Sequence, residues 1–263
     1  MSEVIKIMKE GISILIPIYN EEKIIVKNVK RLVNFLDKLK VPYEVLICDN
    51  GSTDKTPILG KMLTSNFPKK VRFLSVREKR SVGCAFKKMV YEASYDNLIS
   101  LDADLSINYR YFIPNCFKLL EDNAMVIGSK KIGNQERKFY RKFMSDVFIF
   151  LVRILLGLKY SDFSIGAKGY RKSVIKHFLD EIDKKTFYVI KIAYYVKENK
   201  LRIAEIPVKV HDVRRSRFNI IYDALYRGIN LLKFWFLVRI IRKTKKIPNK
   251  VKAFPSWSTK VSP

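Results

Sequence analysis

The chain is short of the residues that build cross-linked or zinc-dependent proteins: its 263 residues include three cysteines and two histidines. Cys48, Cys84 and Cys116 lie in or beside apolar segments without metal-ligand spacing. Their odd number argues against a disulfide framework, so a reducing compartment is expected. His177 and His211 stand apart from any recognisable triad and read as structural. Acidic residues are also scarce, 25 against 52 Lys and Arg, for a formal charge of +27. Such an imbalance favours an anionic partner: nucleic acid, a phosphorylated ligand or an acidic membrane surface. Neither zinc ligands nor an aromatic-studded RNA-binding strand accompanies it, so a basic nucleic-acid-binding protein is the competing non-enzyme reading and no nucleic-acid partner is expected. No stretch reaches the about 20 apolar residues of a membrane-spanning helix. Residues 1–11 carry charges throughout and lack the apolar core of a signal peptide, so the catalytic domain is expected on the cytoplasmic side. No internal repeat is visible.

What is present is alternation. Strand-type runs at 12–16, 44–48, 71–75, 97–101 and 124–127 are separated by helical patterns at 24–39, 56–65, 83–93 and 111–120. This order predicts a largely parallel, doubly wound α/β sheet. A helix at 137–158 begins basic and becomes apolar. A turn-rich, Gly-containing segment follows at 161–171, then a helix at 187–198 and a strand at 202–210 whose Pro207 suits a sheet edge. The last helix covers 220–241. Basic residues inside the aromatic-rich apolar helices suit a helix lying in the headgroup layer of a membrane, and ordinary core helices are the alternative. The expected organisation is an N-terminal tail at 1–10, a catalytic domain at 11–218 that includes an interfacial helix at 137–158, a membrane-associated amphipathic helix at 219–241, and a basic disordered tail at 242–263.

Three strand ends carry polar or acidic groups: Pro17-Ile18-Tyr19-Asn20-Glu21, Asp49-Asn50-Gly51-Ser52-Thr53-Asp54 and Asp102-Ala103-Asp104. In an open α/β sheet, ligands bind beyond the carboxyl ends of the strands, so the three loops point to a shared site. A turn after Leu101 would let Asp102 and Asp104 converge on a hard divalent cation completed by waters and substrate phosphates; a solvated turn capping the next helix is the other reading. Asp54 reads as a cap or loop-shaping residue, and Asp162, beside Gly166 and Gly169, as a loop-shaping residue rather than a base.

In that order, these motifs resemble the signature of the family-two glycosyltransferases. Gly128-Ser129-Lys130, the helix bearing Arg141 and Ser145, the stretch from Asp162 to Arg171 and Arg202-Ile203-Ala204-Glu205-Ile206-Pro207-Val208 resemble more narrowly the dolichyl-phosphate mannose synthases and related polyprenyl-phosphate hexosyltransferases. The resemblance implies a GT-A fold with C-terminal membrane-interfacial helices. It also implies inverting transfer of a hexose, mannose by preference, from a GDP- or UDP-linked donor to dolichyl or polyprenyl phosphate, in protein glycosylation at the cytoplasmic face of a membrane. Pro17, Tyr19, Glu21, Ile47 and Asp49 would form the nucleotide pocket, with Asp102 and Ala103 beside it. Asp102 and Asp104 would hold Mg2+ or Mn2+ on the diphosphate. Lys130, Arg141, Ser145 and Arg217 would meet the acceptor phosphate, and Asp102, Asp104 and Arg141 would be the catalytic set.

The sequence departs from the pattern at Asn50, Ser106, Lys130 and Lys191, where relatives often carry Asp, Gln, Arg and an acidic residue. A phosphate acceptor, already anionic with a second pKa of about 6, needs no base, and none is evident. Transfer to a hydroxyl of a glycan or glycolipid is the alternative within enzymes. Arg214 and Arg215 read equally as phosphate contacts or as solvated surface.

Overall fold

The computed structural model describes residues 11–131, 139–210, 220–242 and 244–248, with backbone alone at 139–142 and 220–224. Among the described residues seven strands form one sheet: β1 (Ile12–Ile18), β2 (Tyr43–Asp49), β3 (Val71–Ser75), β4 (Asn97–Ser100), β5 (Met125–Ser129), β6 (Lys168–Arg171) and β7 (Ile203–Pro207). Their order is β3-β2-β1-β4-β6-β5-β7. β1 pairs in parallel with β2 and β4, β2 with β3, and β5 with β7, whereas β6 runs antiparallel to both neighbours.

β6 lies in the segment expected to be turn-rich. Its sequence, Lys-Gly-Tyr-Arg, has no apolar run, and the sheet supplies what local preference does not. Gly169 is needed there, because an added Cβ would lie 2.3 Å from Cys116 Sγ.

The helices are α1 (Ile25–Leu36), α2 (Thr56–Asn66), α3 (Val82–Glu92), α4 (Tyr109–Leu119), α5 (Phe139–Leu156), α6 (Lys172–Ile175), α7 (Tyr188–Glu198) and α8 (Ile220–Trp235). A π-helical turn, Phe236–Ile240, continues α8. Side chains alternate along the strands, so the two faces of the sheet bury different sets. Ile12, Ile14, Ile16, Ile18, Val45 and Ile47 meet α1 and α4, while Leu15, Leu46, Leu98, Ile127 and Tyr170 meet α3, α5, α7 and α8. α1 shows the helical period that drives this, with Ile25, Val29, Leu32, Val33 and Leu36 all buried.

The tail expected to be disordered from 242 onward is docked over 244–248. Ile247 is buried, its N–H donates to Asn199 Oδ1 at 2.9 Å, and Asn199 Nδ2 donates to Lys245 O at 2.8 Å. One apolar side chain, a bidentate amide and the ion pairs of Lys245 with Asp180 and Glu181 hold a segment that composition alone assigns to solvent. Residues 243 and 249–263 lie outside the described set, as do residues 1–10.

Cys48 and Cys116 are buried and all three cysteines are free thiols; burial pushes the Cys48 thiol up to about 12. No described helix is long and apolar enough to cross a membrane.

Phe86 on α3 is fully buried, stacked on Tyr188 with ring centroids 4.8 Å apart and tilted against Tyr170 at 5.3 Å. Phe86→Ala is expected to cost about 3–5 kcal/mol by cavity formation, read as a lowered midpoint in chemical denaturation with unchanged slope. A loss under about 1 kcal/mol would mean that these rings do not anchor the α3–α7 layer.

Candidate active site

The sheet directions decide where the chemistry gathers. β1, β2, β4 and β5 end at one edge, and β6, running the other way, begins there. Tyr19, Asp49, Asp102 and Lys130 therefore follow strand ends on the same edge as the 161–167 segment that leads into Lys168. β1 lies between β2 and β4, so the crevice opens where the chain order reverses, the usual ligand position in such sheets.

The first two loops are locked together. Asn20, at φ 53°, donates its N–H to Ser52 Oγ at 2.8 Å, and its Oδ1 accepts from Thr53 N at 2.8 Å. Glu21 N donates to Thr56 Oγ1 at 2.8 Å. The buried Asp49 carboxylate accepts from Gly51 N at 3.2 Å and Ser52 N at 3.2 Å, a side-chain turn that Gly51 completes at φ 89°. Asp54 accepts from Thr56 N at 2.9 Å and Glu22 N at 3.2 Å, which shapes the loop ahead of α2 rather than capping the helix. Ile47 is buried on β2, and Pro17 and Tyr19 are half-buried. Arg80 covers Tyr19: its Nε donates to the phenol oxygen at 3.0 Å and its guanidinium lies 5.2 Å from the ring centroid. Sequence reading missed Arg80, one of many basic residues with nothing local to distinguish it.

Beyond β4 the chain turns sharply, with Leu105 N donating to Asp102 O at 3.0 Å and Leu105 at φ 50°. Ala103 is buried, and its carbonyl accepts from Asn28 Nδ2 at 2.9 Å, which pins the turn to α1. Asp102 and Asp104 flank this inward residue. Asp104 Oδ1 accepts from Ser106 N at 3.0 Å and Asp102 Oδ2 from Gly166 N at 3.1 Å. The Asp102 carboxylate is open to solvent yet crowded by surrounding protein. That crowding, followed by the like charge of Asp104, raises its pKa, and solvent access moderates the rise. No cluster of three or more His, Cys, Asp or Glu is present among the described residues. Two adjacent carboxylates are a donor set of hard oxygens suited to a cation that takes its remaining ligands from diphosphate and water, so the residues fit Mg2+ or Mn2+.

Opposite Asp102 stand Lys130 and Ser164. Lys130 Nζ donates to Ser164 Oγ at 2.6 Å and lies 3.8 Å from Asp162 Oδ2. Asp162 is buried, and its Oδ1 accepts from Ser164 N at 2.7 Å and Ser164 Oγ at 2.8 Å, which fits the loop-shaping role. Burial opposes its ionisation, but Lys130, Lys168 and the Ser164 hydrogen bonds outweigh that and hold its pKa below the usual range. Glu205 accepts from Ser161 N at 2.8 Å and Ser161 Oγ at 2.6 Å, which ties β7 to the same loop. Between these walls lies a cleft of about 170 Å³ lined by Asp102, Ser106, Ile107, Lys130, Ser164, Ile165 and Val210.

Ser145 lies on α5, half-buried, and Arg141 on the same helix, with its side chain outside the described set. Arg214, Arg215, Arg217 and His211 lie outside the described residues. His177 follows the far end of β6, away from this edge, and Lys191 Nζ donates to Glu181 O at 3.0 Å, a structural contact.

A mixed, mostly parallel sheet with its polar loops at the switch between β1 and β4 is the GT-A fold. The family profile for Glycosyl transferase family 2 matches residues 13–179, and the chain belongs to that family. The curated relatives it matches include the undecaprenyl-phosphate 4-deoxy-4-formamido-L-arabinose transferase of Serratia proteamaculans, 28% identical over 193 residues, covering 72% of this chain and 57% of that protein. The enzyme of the same name from Salmonella choleraesuis is 26% identical over 223 residues, covering 84% of this chain and 65% of that protein. The chain thus spans less than two thirds of the length of either relative. Among solved structures, glucosyl-3-phosphoglycerate synthase from Mycobacterium tuberculosis with uridine diphosphate has a TM-score of 0.58 at 17% identity, covering 88% of this chain and 82% of that one. The mannosyltransferase PcManGT from Pyrobaculum calidifontis, in complex with GDP-Man and Mn2+, has a TM-score of 0.56 at 19% identity, covering 92% of this chain and 66% of that one.

Asp162→Asn should destabilise the protein by on the order of 3 kcal/mol at pH 7, because it leaves buried lysine charge uncompensated. The folded carboxylate has the lower pKa, so its stabilisation is complete above the unfolded value of about 4 and is lost as pH falls through the folded value. Denaturation measured across pH should show the gap between the two proteins narrowing in acid; a gap independent of pH would contradict the assignment.

Proposed function

We propose that the protein transfers a sugar from a nucleotide sugar to the phosphate of a polyprenyl-type lipid. The observation that carries this reading is the composition of the cleft beside Asp102. The Lys130 ammonium, held toward the cleft by Ser164, offers positive charge to an anion, while Ile107, Ile165 and Val210 offer an apolar wall. An acceptor with a phosphate head and a hydrocarbon tail matches both.

The acidic neighbours support the same choice. Asp162 and Glu205 both hold the 161–164 loop, so neither is disposed as a base for a sugar hydroxyl. A phosphate monoester is already an anion at neutral pH and attacks directly. Its oxygen forms the new bond to the sugar C1, the C1–oxygen bond to the diphosphate breaks, and the electron pair leaves with the nucleoside diphosphate. Inversion at C1 is the stereochemical course the family resemblance implies.

Asp102 and Asp104 would hold Mg2+ or Mn2+, which when bound neutralises charge on the departing diphosphate. Tyr19 and Asp49, in the interlocked loops, would receive the nucleotide, with Pro17, Glu21, Ile47 and Ala103 around it. Lys130 and Ser145, with Arg141 and Arg217, would address the acceptor phosphate. The named activity of the curated relatives supports a polyprenyl-phosphate acceptor and a 4-deoxy-4-formamido-L-arabinose donor. The motif resemblance supports a hexose, mannose by preference, and a dolichyl or polyprenyl acceptor. Transfer to a glycan hydroxyl is the second reading, favoured only by the breadth of the family.

The apolar surface belongs to the same reading. On α5 the side chains Phe143, Val147, Phe150 and Ile154 are exposed along one stripe, and on α8 Leu225, Ile229 and Leu232, continued by Phe236 and Ile240, form a second. The two helices touch. Exposed Arg153, Lys233, Arg239 and Arg242 border the stripes. Exposed apolar stripes on two touching helices, with cations beside them, suit the interface of an anionic bilayer, so the protein would act as a peripheral enzyme at the cytoplasmic face.

Purified protein incubated with polyprenyl phosphate and a panel of radiolabelled nucleotide sugars, with and without Mg2+ or Mn2+, should form a labelled lipid; transfer to free glycans but to no lipid phosphate would overturn the reading. Asp104→Ala should reduce transfer by about 100-fold or more with an unchanged melting temperature. Retained metal-dependent activity would remove Asp104 from the site.

The protein should float with vesicles containing phosphatidylglycerol, and Phe150→Asp combined with Leu232→Asp should leave it in the soluble fraction. Equal flotation of both proteins would place the membrane contact elsewhere.

A further inference from the structure

Lys168 has no part in the chemistry above, yet it is among the most deeply buried side chains of the molecule, 1% exposed. It stands at the start of β6, paired across the sheet with Ser100 of β4 and Ile127 of β5, directly behind the turn that carries Asp102. An ammonium group in such a place is costly unless paired and hydrogen-bonded. Its Nζ donates to Ile165 O at 2.8 Å. Burial, aided by the like charge of Lys130, draws its pKa down to about 8 against the upward pull of Asp162, Asp102 and Glu205.

The hydrogen bond to Ile165 sits at a junction. Asp162 shapes the first part of the loop through Ser164, Lys168 holds Ile165, and the next residue, Gly166, donates its N–H to Asp102 Oδ2 at 3.1 Å. The loop rests on the carboxylate itself, since a Cβ at Gly166 would lie 2.3 Å from Asp102 Oδ1. The buried lysine, the loop backbone and the exposed carboxylate thus form a continuous bracket.

We propose that Lys168 is a positioning residue for the donor diphosphate subsite, acting through the Ile165–Gly166 backbone to fix the orientation of the Asp102 carboxylate. This rests on the reading of Asp102 as a ligand of the donor's divalent cation, and not on the identity of the acceptor. Lys168 acts from behind, through the loop backbone, and touches neither donor nor acceptor. The bracket also explains why glycine stands at 166, at ordinary rather than positive φ: space against Asp102, not backbone freedom, excludes a side chain.

The test is the affinity of the full chain for UDP and for GDP, each measured by calorimetry with and without Mn2+. In Lys168→Met the Mn2+-dependent gain in affinity for the nucleotide that the unsubstituted chain binds should fall at least tenfold, in the range seen when residues behind a metal ligand are removed, while the metal-independent affinity stays the same. Hydrogen exchange at the Gly166 amide should quicken in the same variant, and Lys168→Arg should restore part of the Mn2+-dependent gain. Gly166→Ala, which leaves the buried lysine in place and disturbs only the contact with Asp102, should reproduce the loss if Lys168→Met does not fold.

An undiminished Mn2+-dependent gain in either variant overturns the proposal, as does an equal fall in metal-dependent and metal-independent binding. An unsubstituted chain that binds neither nucleotide more tightly with Mn2+ overturns it together with the metal assignment. A chain that shows the expected pattern but transfers to no lipid phosphate leaves Lys168 in place and removes only the acceptor reading.

Discussion

The candidate site exists because β6 runs against its neighbours. Parallel strands joined by helical crossovers deliver their carboxyl ends to one edge, which accounts for Tyr19, Asp49, Asp102 and Lys130. A further parallel strand between β4 and β5 would have sent the preceding loop to the opposite edge. As an antiparallel insertion, β6 instead brings Asp162, Ser164, Gly166 and Lys168 to the edge where the other loops arrive. The two halves of the cleft, one built on Asp102 and the other on Lys130 and Ser164, face each other as a consequence of strand direction.

That meeting sets up a division among carboxylates that proximity alone would not produce. Asp162 is enclosed with two lysines and its pKa is held low; Asp102 is crowded by protein and by Asp104, and its pKa is raised. The first is therefore an ion whose work is internal, shaping the loop, while on the proposed reading the second is the one that gains from a cation. Environments that push neighbouring carboxyls in opposite directions are how one fold separates structural from functional acids. Glu205 falls on the internal side, fixed by Ser161, and Ser161 in turn lies 2.6 Å from Ser129 Oγ at the end of β5.

Much of the frame was legible in the sequence because the strands that form it are apolar runs ending in polar loops. The runs 12–16, 44–48, 71–75 and 97–101 correspond to β1 to β4, and Pro207 does end an edge strand. The helix expected at 137–158 is α5, and that at 220–241 is α8 with its π-helical continuation. β6 was not legible: Lys-Gly-Tyr-Arg carries no strand pattern, and its pairing depends on Asn97–Ser100 and Met125–Ile127, both far away in sequence. Lys168 was hidden for the same reason, since a lysine in a basic chain reads as surface until a sheet closes over it. The stitching of Asn20 to Ser52 and Thr53 was hidden differently; the motif marked the right loops, but which side chains bind ligand and which bind each other is decided by a contact across 32 or 33 residues.

The helical surface shows what burial adds to pattern. α5 is apolar on more than one side, so by sequence alone it reads as an interfacial helix, with a core helix as the alternative. The structure separates its faces: Ile149, Val152 and Leu156 are buried against the molecule, whereas Phe143, Val147, Phe150 and Ile154 are exposed. A net charge of +27 cannot by itself place these residues on a membrane, because attraction between exposed charges fades over about 8 Å at physiological salt. On the proposed reading, the described cations placed to assist docking are those beside the stripes, Arg153, Lys233, Arg239 and Arg242. On the proposed reading the charges bring the protein to the bilayer and the apolar side chains hold it there. The hydrocarbon-tailed acceptor is then met at the surface where it resides, not drawn out into water.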